Sequence, residues 1–183
     1  MQIEKVSFPR NSMIRESFPV IDYSDCFRSK LNTDFDLKLE HCIQSFLFNQ
    51  PKWSVALMKL RNLVVKPFGL KTGTDRDINY VPVVINLAKG DKIAFFEVIA
   101  SFDDEVLLYI TDKHLDACLS VMLKKTDHLT CLPNAKNEYE VFITTGVKFK
   151  NAFGHLYFFF IKPFHTLLMR NMISRFIQKF NSL

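Results

Sequence analysis

The chain has 183 residues, of which 48% are hydrophobic and 23% are charged, and its formal net charge is +5. These proportions are typical of a globular protein and exclude a disordered, collagen-like or coiled-coil chain. The basic residues are spread along the chain and form no polybasic run, so they indicate a solvated surface and predict no nucleic-acid partner.

Cysteine spacing and hydropathy indicate the compartment. Four cysteines stand far apart without a CxxC pair, which excludes a zinc ribbon or a thioredoxin motif and argues against a disulfide framework. The N-terminus lacks the apolar core of a signal peptide. The longest uniformly apolar run, Leu156 to Ile161, is far shorter than the roughly 20 residues that span a bilayer. We therefore expect a cytoplasmic protein with reduced thiols and no membrane span.

The sequence indicates a single domain. No internal repeat, low-complexity tract or Pro/Gly/Ser-rich linker divides it. We expect a single domain over residues 1–183, in which about the first 18 residues form a mobile N-terminal segment. The segment Tyr23 to Leu31 is predicted to be the first strand.

Two short helices are predicted after this strand. Thr33 and Asp36 resemble a capping box, and apolar residues at helical spacing extend the helix over residues near 36 to 48. Pro51 suits the first turn of a second helix, where no N–H is needed. The apolar face of that second helix comprises Trp53, Leu57, Leu60 and Val64, before Pro67 and Gly69 end it.

The hydrophobic period then changes from helical to alternating, which predicts strands. Turn residues separate segments rich in Val, Ile, Phe and Leu: 92–101, 105–111, 115–124, 139–149 and 154–162. Because the connections are too short for crossover helices, we expect an antiparallel meander with one face covered.

Pro163 is expected to begin a long amphipathic C-terminal helix. Its apolar stripe comprises Met169, Met172, Ile173, Phe176, Ile177 and Phe180. The predicted order of strand, two helices, meander and final helix is the α+β helix-grip architecture of the Bet v 1, START (SRPBCC-like) and polyketide-cyclase type. In that architecture a curved antiparallel sheet wraps the C-terminal helix and the two enclose a pocket.

Short motifs distributed along the chain carry a family resemblance. They are Pro51-Lys52-Trp53, Leu60-Arg61-Asn62, Phe68-Gly69-Leu70, Gly154-His155-Leu156-Tyr157-Phe158 and Lys162-Pro163-Phe164-His165. In order and separation they resemble the "domain of unknown function 2867" family. The resemblance implies a helix-grip domain, which in some members follows an NAD-binding reductase domain. This chain has no GxGxxG, so no nicotinamide site is carried over, and the family supplies no catalytic residues.

Polar residues within the expected pocket are candidates for acid–base chemistry or ligand contacts. Glu97 would have a raised pKa if it faced inward, and it is a solvated charge if it faces outward, the commoner arrangement for glutamate. His155 and Tyr157 share one face of the predicted last strand, either as pocket contacts or as a strand-end residue and a core ring. Arg61 either clamps an acidic ligand group or has a structural role, as a salt bridge or a cap on nearby carbonyls, which is the commoner use. His165, at the expected helix start, suits an exposed role as well as a ligand contact.

One presumed strand carries three candidate metal ligands. His114, Asp116 and Cys118 alternate and would project from one face. Metal sites usually draw on several chain segments, so we favour a solvent-facing strand edge and predict no metal. The loop Gly69 to Thr74 lacks the spacing and lysine of a phosphate loop, and there is no GxSxG nucleophile motif. No cofactor is predicted, and no catalytic constellation is recognisable.

The leading hypothesis is a protein that binds a hydrophobic small molecule or lipid between the sheet and the C-terminal helix. The expected ligand-binding residues are Arg61, Glu97, Leu119, Val121, Ile143, His155, Tyr157, Met169, Met172, Ile173 and Phe176. One alternative is a cyclase, isomerase or hydrolase that uses the pocket His, Tyr or Glu. Another is an interaction module that partners a separate NAD-binding reductase.

Overall fold

The computed structural model describes residues 2–51, 53, 54, 56, 85–126 and 137–181. Its strands are β1 (Ile3–Lys5), β2 (Tyr23–Thr33), β3 (Lys92–Ile93), β4 (Phe96–Ser101), β5 (Glu105–Thr111), β6 (Leu115–Thr126) and β7 (Asn137–Phe149). Its helices are α1 (Ile14–Ser17), α2 (Leu39–Phe48) and α3 (Ala152–Asn181).

The strands form one open antiparallel sheet in the order β1-β2-β7-β6-β5-β4-β3. Strands β3 to β7 follow one another in space as in sequence, which confirms the predicted antiparallel meander. On the other side of β7, β2 pairs with it along its whole length, from Tyr23 opposite Val147 to Thr33 opposite Asn137. The chain is thus an α+β protein with a seven-stranded sheet and a C-terminal helix.

The first face of the sheet, which carries Phe27, Val121 and Ile143, holds the main hydrophobic core. The second half of α3 packs there through residues such as Ile173 and Phe176, each 1% exposed, and α2 lies beside it. Each such large apolar side chain contributes about 1.5–3 kcal/mol of burial free energy, and α3 is therefore firmly anchored by this half.

The second face, which carries Leu107, Cys118 and Gly146, is covered by the N-terminal segment, residues 6–22. Ile14 and Phe18 pack against this face, and a Cβ on Gly146 would already touch both side chains at 3.4–3.5 Å. The prediction of a single covered face was therefore wrong. The segment that was expected to be mobile forms β1 and α1 and lies against the sheet.

Residues 154–162 are helical, so the predicted last strand was wrong. A run that is apolar on all sides does not distinguish a buried strand from a helix by its period. Pro163 lies inside α3 and not at its start. Its missing N–H frees the carbonyl of Phe159 on the exposed side of the helix, where water can bind it. At the start of α3, a Cβ on Gly154 would stand 2.1 Å from the carbonyl oxygen of His114, so only glycine fits.

The two predicted short helices are matched in part. The first begins at Leu39, because Thr33 still pairs with Asn137 as the last residue of β2. Instead of Thr33, His41 caps this helix by accepting a hydrogen bond from the backbone N–H of Lys38. Residues 53, 54 and 56 are helical, and the rest of the second predicted helix lies outside the described residues.

Candidate functional site

The apolar residues predicted to line a pocket lie together on the first face. They are Leu119, Val121, Ile143, Met169, Met172, Ile173 and Phe176, and all are at most 6% exposed. They belong to one hydrophobic cluster that joins the sheet to α2 and α3. Periodicity thus identified the core side of β6, β7 and α3.

The polar residues predicted for the same pocket are dispersed. Glu97 is exposed on β4, as in the solvated alternative. His155 and Tyr157 lie on α3 and not on a strand, where residues two apart point about 200° away from each other. His155 is exposed with its ring 4.3 Å from that of Phe149, whereas Tyr157 is half-buried with its ring 4.6 Å from that of His114. Arg61 lies outside the described residues.

The three candidate metal ligands, His114, Asp116 and Cys118, are buried, so the expectation of a solvent-facing strand edge was wrong. His114 is 2% exposed in the turn before β6 and packs edge-on against Tyr157. Asp116 forms an ion pair with Lys150 at 2.7 Å, and Cys118 is fully buried under the N-terminal segment. Within the described ranges, no group of three His, Cys, Asp or Glu side chains is placed to hold a metal ion.

A cleft of about 600 Å³ opens on the second face, between the N-terminal segment and strands β4 and β5. Phe18 and Val20 form one wall, and Ile99 and Tyr109 form the opposite side. A second cleft of about 620 Å³ shares Lys89, Ile99 and Ala100 with it. The second face therefore carries a concave surface with mainly apolar walls.

Local backbone structure positions these walls. The pairing of β4 with β5 shifts by one residue between Val98 and Ala100, so Ile99 is the extra residue of a β-bulge. Ile99 packs with the cluster on the second face, which it shares with Phe18 and Tyr109. Bulges commonly redirect a side chain next to a binding site, and this one brings Ile99 to the cleft.

Charged groups lie at two sides of the cleft. Lys148 faces Asp116 across the β6–β7 pair, and Lys89 stands exposed at the opposite side. Asp116 is already bound to Lys150. Neither Lys89 nor Lys148 has an acidic partner within the described part of the chain. Two cations therefore remain available at the rim.

The protonation of Tyr109 and Asp116 follows from this setting. Burial raises the pKa of the Tyr109 hydroxyl, and the Asp116 carboxylate raises it further against the lowering effect of Thr111. Burial also raises the pKa of Asp116, but Lys150, Thr111 and Tyr109 outweigh it, so that pKa lies below its usual value. At neutral pH the cleft thus presents a neutral phenol beside an ionised carboxylate that is held by a lysine.

A buried polar cluster lies on the first face beneath the N-terminal half of α3. The Tyr23 hydroxyl donates a hydrogen bond to Asp25 at 2.9 Å, and Nε2 of His165 stands 3.6 Å from the same carboxylate. Thr145, the cross-strand neighbour of Asp25, also belongs to this cluster. Burial raises the pKa of Asp25, but His165, Tyr23 and Thr145 together hold it below its usual value.

The profile of the family described as "Protein of unknown function (DUF2867)" matches residues 17–172. The chain belongs to the DUF2867 family. The matched range includes every residue that lines the first cleft, from Ser17 to Lys148. No curated protein and no solved structure matches the chain.

Membership of DUF2867 confirms the family resemblance that the motifs indicated and leaves the activity open. Among the described residues no helix is long and apolar enough to cross a membrane.

The cleft residues Tyr109 and Lys148 were not predicted, because in the sequence each looks like an ordinary strand residue. The burial of Asp25 could have been predicted from strand alternation, because it lies two residues before inward-facing Phe27 on the same face of β2.

Proposed function

We propose that this DUF2867 protein binds a small amphipathic molecule, with an apolar body and an anionic group, in the cleft on the second face. The observation that carries the proposal is a concave site of about 600 Å³ in which apolar walls meet two lysines that have no acidic partner among the described residues. Small-molecule sites are commonly concave, largely apolar and about 300–1,000 Å³ in volume, with a few polar groups that orient the ligand.

The apolar body would lie between Phe18 and Val20 on one side and Ile99 on the other. Val20 is 49% exposed, so contact with a ligand would remove apolar surface from water. Apolar burial of this kind contributes about 25 cal/mol per Å². A ligand with a hydrophobic chain or ring is therefore favoured over a fully polar metabolite.

The anionic group would lie near Lys148, beside the Tyr109 hydroxyl that is already hydrogen-bonded to Asp116. Lys89, on the opposite side of the cleft, would add only a longer-range attraction. Asp116 does not offset these charges fully, because Lys150 is bound to it at 2.7 Å. A carboxylate or sulfonate would gain chiefly from Lys148, whereas an ammonium group would be repelled by it.

The test uses 1-anilinonaphthalene-8-sulfonate as a fluorescent probe and displaces it with dodecanoate or with dodecan-1-ol. We expect dodecanoate to compete better than the alcohol. Lys148→Gln should weaken dodecanoate about two- to five-fold, the range expected for a half-exposed charge contact, and leave the alcohol unchanged. Lys92→Gln, an exposed lysine on β3 away from the cleft, is the matched control.

A second variant tests the location. Val20→Trp places an indole in the cleft from an exposed loop position and should reduce the binding of both competitors, while the urea unfolding midpoint stays close to wild type. Equal loss in Lys148→Gln and Lys92→Gln, or unchanged binding in Val20→Trp, would show that the probe binds elsewhere and the proposal would fail.

The pocket between the sheet and the C-terminal helix stays a prediction, as do the single domain and the cytoplasmic location. The helix-grip arrangement is supported by the contacts of α3 with β1, β2 and β7. The acid–base enzyme and the reductase-binding module also stay predictions. Ligand displacement without turnover of an ester or a lactone probe would favour binding over hydrolysis.

A further inference from the structure

The outer side of the N-terminal half of α3 is apolar and open to solvent. Its large side chains are exposed to the following extents: Leu156 58%, Phe159 71%, Phe160 63%, Phe164 53% and Leu167 51%. Scattered apolar residues are normal on a surface, whereas a contiguous patch of large ones marks a site of interaction.

These five residues form one stripe, called here the outer stripe. They occur at spacings of three, four, eight and eleven residues from Leu156, which places them on one side of an α-helix. Over these three turns the stripe is about 18 Å long, at roughly 1.5 Å per residue. The opposite side of α3 is held by the protein through buried Phe158 and Met169. The stripe therefore faces away from the core.

The charged residues of α3 itself have one sign. From Ala152 to Asn181 the sequence contains no Asp or Glu, but it contains Lys162 within the span of the stripe and Arg170 just after it. Both are exposed and extend over rings of β2, with the Lys162 ammonium 5.0 Å from the Tyr23 ring and the Arg170 guanidinium 5.8 Å from the Phe27 ring. Exposed Lys5 on β1 is the cross-strand neighbour of Phe27 and adds a third cation to this flank.

We propose that the outer stripe docks this protein on the surface of a membrane that contains anionic lipids. A helix with Phe and Leu on one side and cations beside them lies in the plane of a bilayer, with the apolar side at the boundary between headgroups and acyl chains. Lys162 and Arg170 are exposed to solvent, and long basic side chains of this kind can extend toward charged headgroups. The other side of α3 stays packed on the sheet.

Charge decides between a membrane and a second copy of the chain. A symmetric dimer would bring the outer stripes of two copies together and with them Lys162 and Arg170 of each, with no acidic residue on either helix to compensate. An anionic surface instead compensates every one of these cations. The proposal is independent of the ligand cleft, which lies on the other face of the sheet.

Sedimentation with lipid vesicles tests this directly. The full chain is mixed with vesicles of phosphatidylcholine alone or of equal parts phosphatidylcholine and phosphatidylserine. We expect preferential binding to the second kind, which weakens with added salt because salt screens exposed charges. Phe159→Ser/Phe160→Ser should reduce the bound fraction on the order of ten-fold or more, since the insertion is driven by apolar area. Phe95→Ser, a phenylalanine 39% exposed beside β4, is the matched control.

A second variant separates the charges from the apolar stripe. Lys162→Gln/Arg170→Gln should remove most of the preference for phosphatidylserine. Circular dichroism and the urea midpoint check that each variant is folded, and binding of the anilinonaphthalene probe checks the cleft separately. Wild-type protein that stays in the supernatant with both vesicles overturns the proposal. So does a wild-type dimer in size-exclusion chromatography that Phe159→Ser/Phe160→Ser dissociates, which would assign the outer stripe to a second copy.

Discussion

Replacing Glu105 with alanine is expected to release the N-terminal segment from the second face of the sheet. Glu105 is 1% exposed at the start of β5 and accepts three hydrogen bonds. The donors are the hydroxyls of Ser12 at 2.6 Å and Ser120 at 2.5 Å and the backbone N–H of Met13 at 2.7 Å. Ser12 and Met13 belong to the segment that leads into α1 and then to the cleft wall.

The size of the effect depends on what replaces the carboxylate. Alanine leaves the three donors buried without an acceptor, so we expect a loss of about 3–5 kcal/mol in the free energy of unfolding. Glutamine can keep the network: its carbonyl accepts from the Met13 N–H, and its NH₂ donates to the two serine hydroxyls, which rotate to accept. Glu105→Gln should therefore cost only about 1 kcal/mol, the difference between a charged and a neutral hydrogen-bond acceptor.

Urea unfolding followed by circular dichroism measures both variants. With a slope of about 2–3 kcal/mol per molar urea, Glu105→Ala should lower the midpoint by about 1–2 M and Glu105→Gln by less than about 0.5 M. Glu97→Ala, an exposed glutamate on the neighbouring strand, is the control. Amide hydrogen exchange should show lost protection around Ile14 in Glu105→Ala, together with weaker probe binding in the cleft. Equal midpoints for the alanine and glutamine variants would refute the assigned hydrogen bonds.

Two further predictions concern groups whose pKa is shifted. Because Asp25 has a lowered pKa in the folded protein, it contributes stability that is present above the ordinary aspartate value of about 3.9 and lost as pH falls through the folded value. Asp25→Asn should lose less stability over that acidic range in urea titrations, and identical pH profiles would contradict the assignment. Burial, with a smaller effect of a nearby glutamate, raises the pKa of Cys42 and of Cys118 to about 12. Both thiols should resist iodoacetamide at about pH 8 in the native protein and react in urea, as peptide mass spectrometry would show; equal labelling rates would contradict their burial.

The strands and their order could be predicted from sequence because the signals are local. Segments rich in Val, Ile, Phe and Leu between turn residues identified β5, β6 and β7, with clear alternation on β6, and short turns between successive strands required antiparallel pairing. The helical spacing of Met169, Ile173 and Phe176 likewise predicted the inner side of α3. Each of these patterns is complete within about a dozen residues, so no distant contact was needed to recognise it.

The polar sites could not be predicted in this way. His155 and Tyr157 were expected on one face because residues two apart share a face in a strand. They lie in a helix instead, where residues two apart point in nearly opposite directions. Glu105 looks like a charge beside a turn, and its partner Ser12 stands 93 positions away in the sequence. The cleft arises only when the N-terminal segment lies across the sheet next to the bulge at Ile99.

Sequence alone determined the antiparallel sheet, the amphipathic second half of α3 and the family, since each depends on residue order over short distances. Tertiary structure decided that residues 154–162 are helical and that the N-terminal segment covers the second face of the sheet. It also decided that Glu105 and Asp25 are buried. The physical reason is that an apolar run satisfies its backbone hydrogen bonds equally well as helix or strand, and a carboxylate enters the interior only where distant donors meet it.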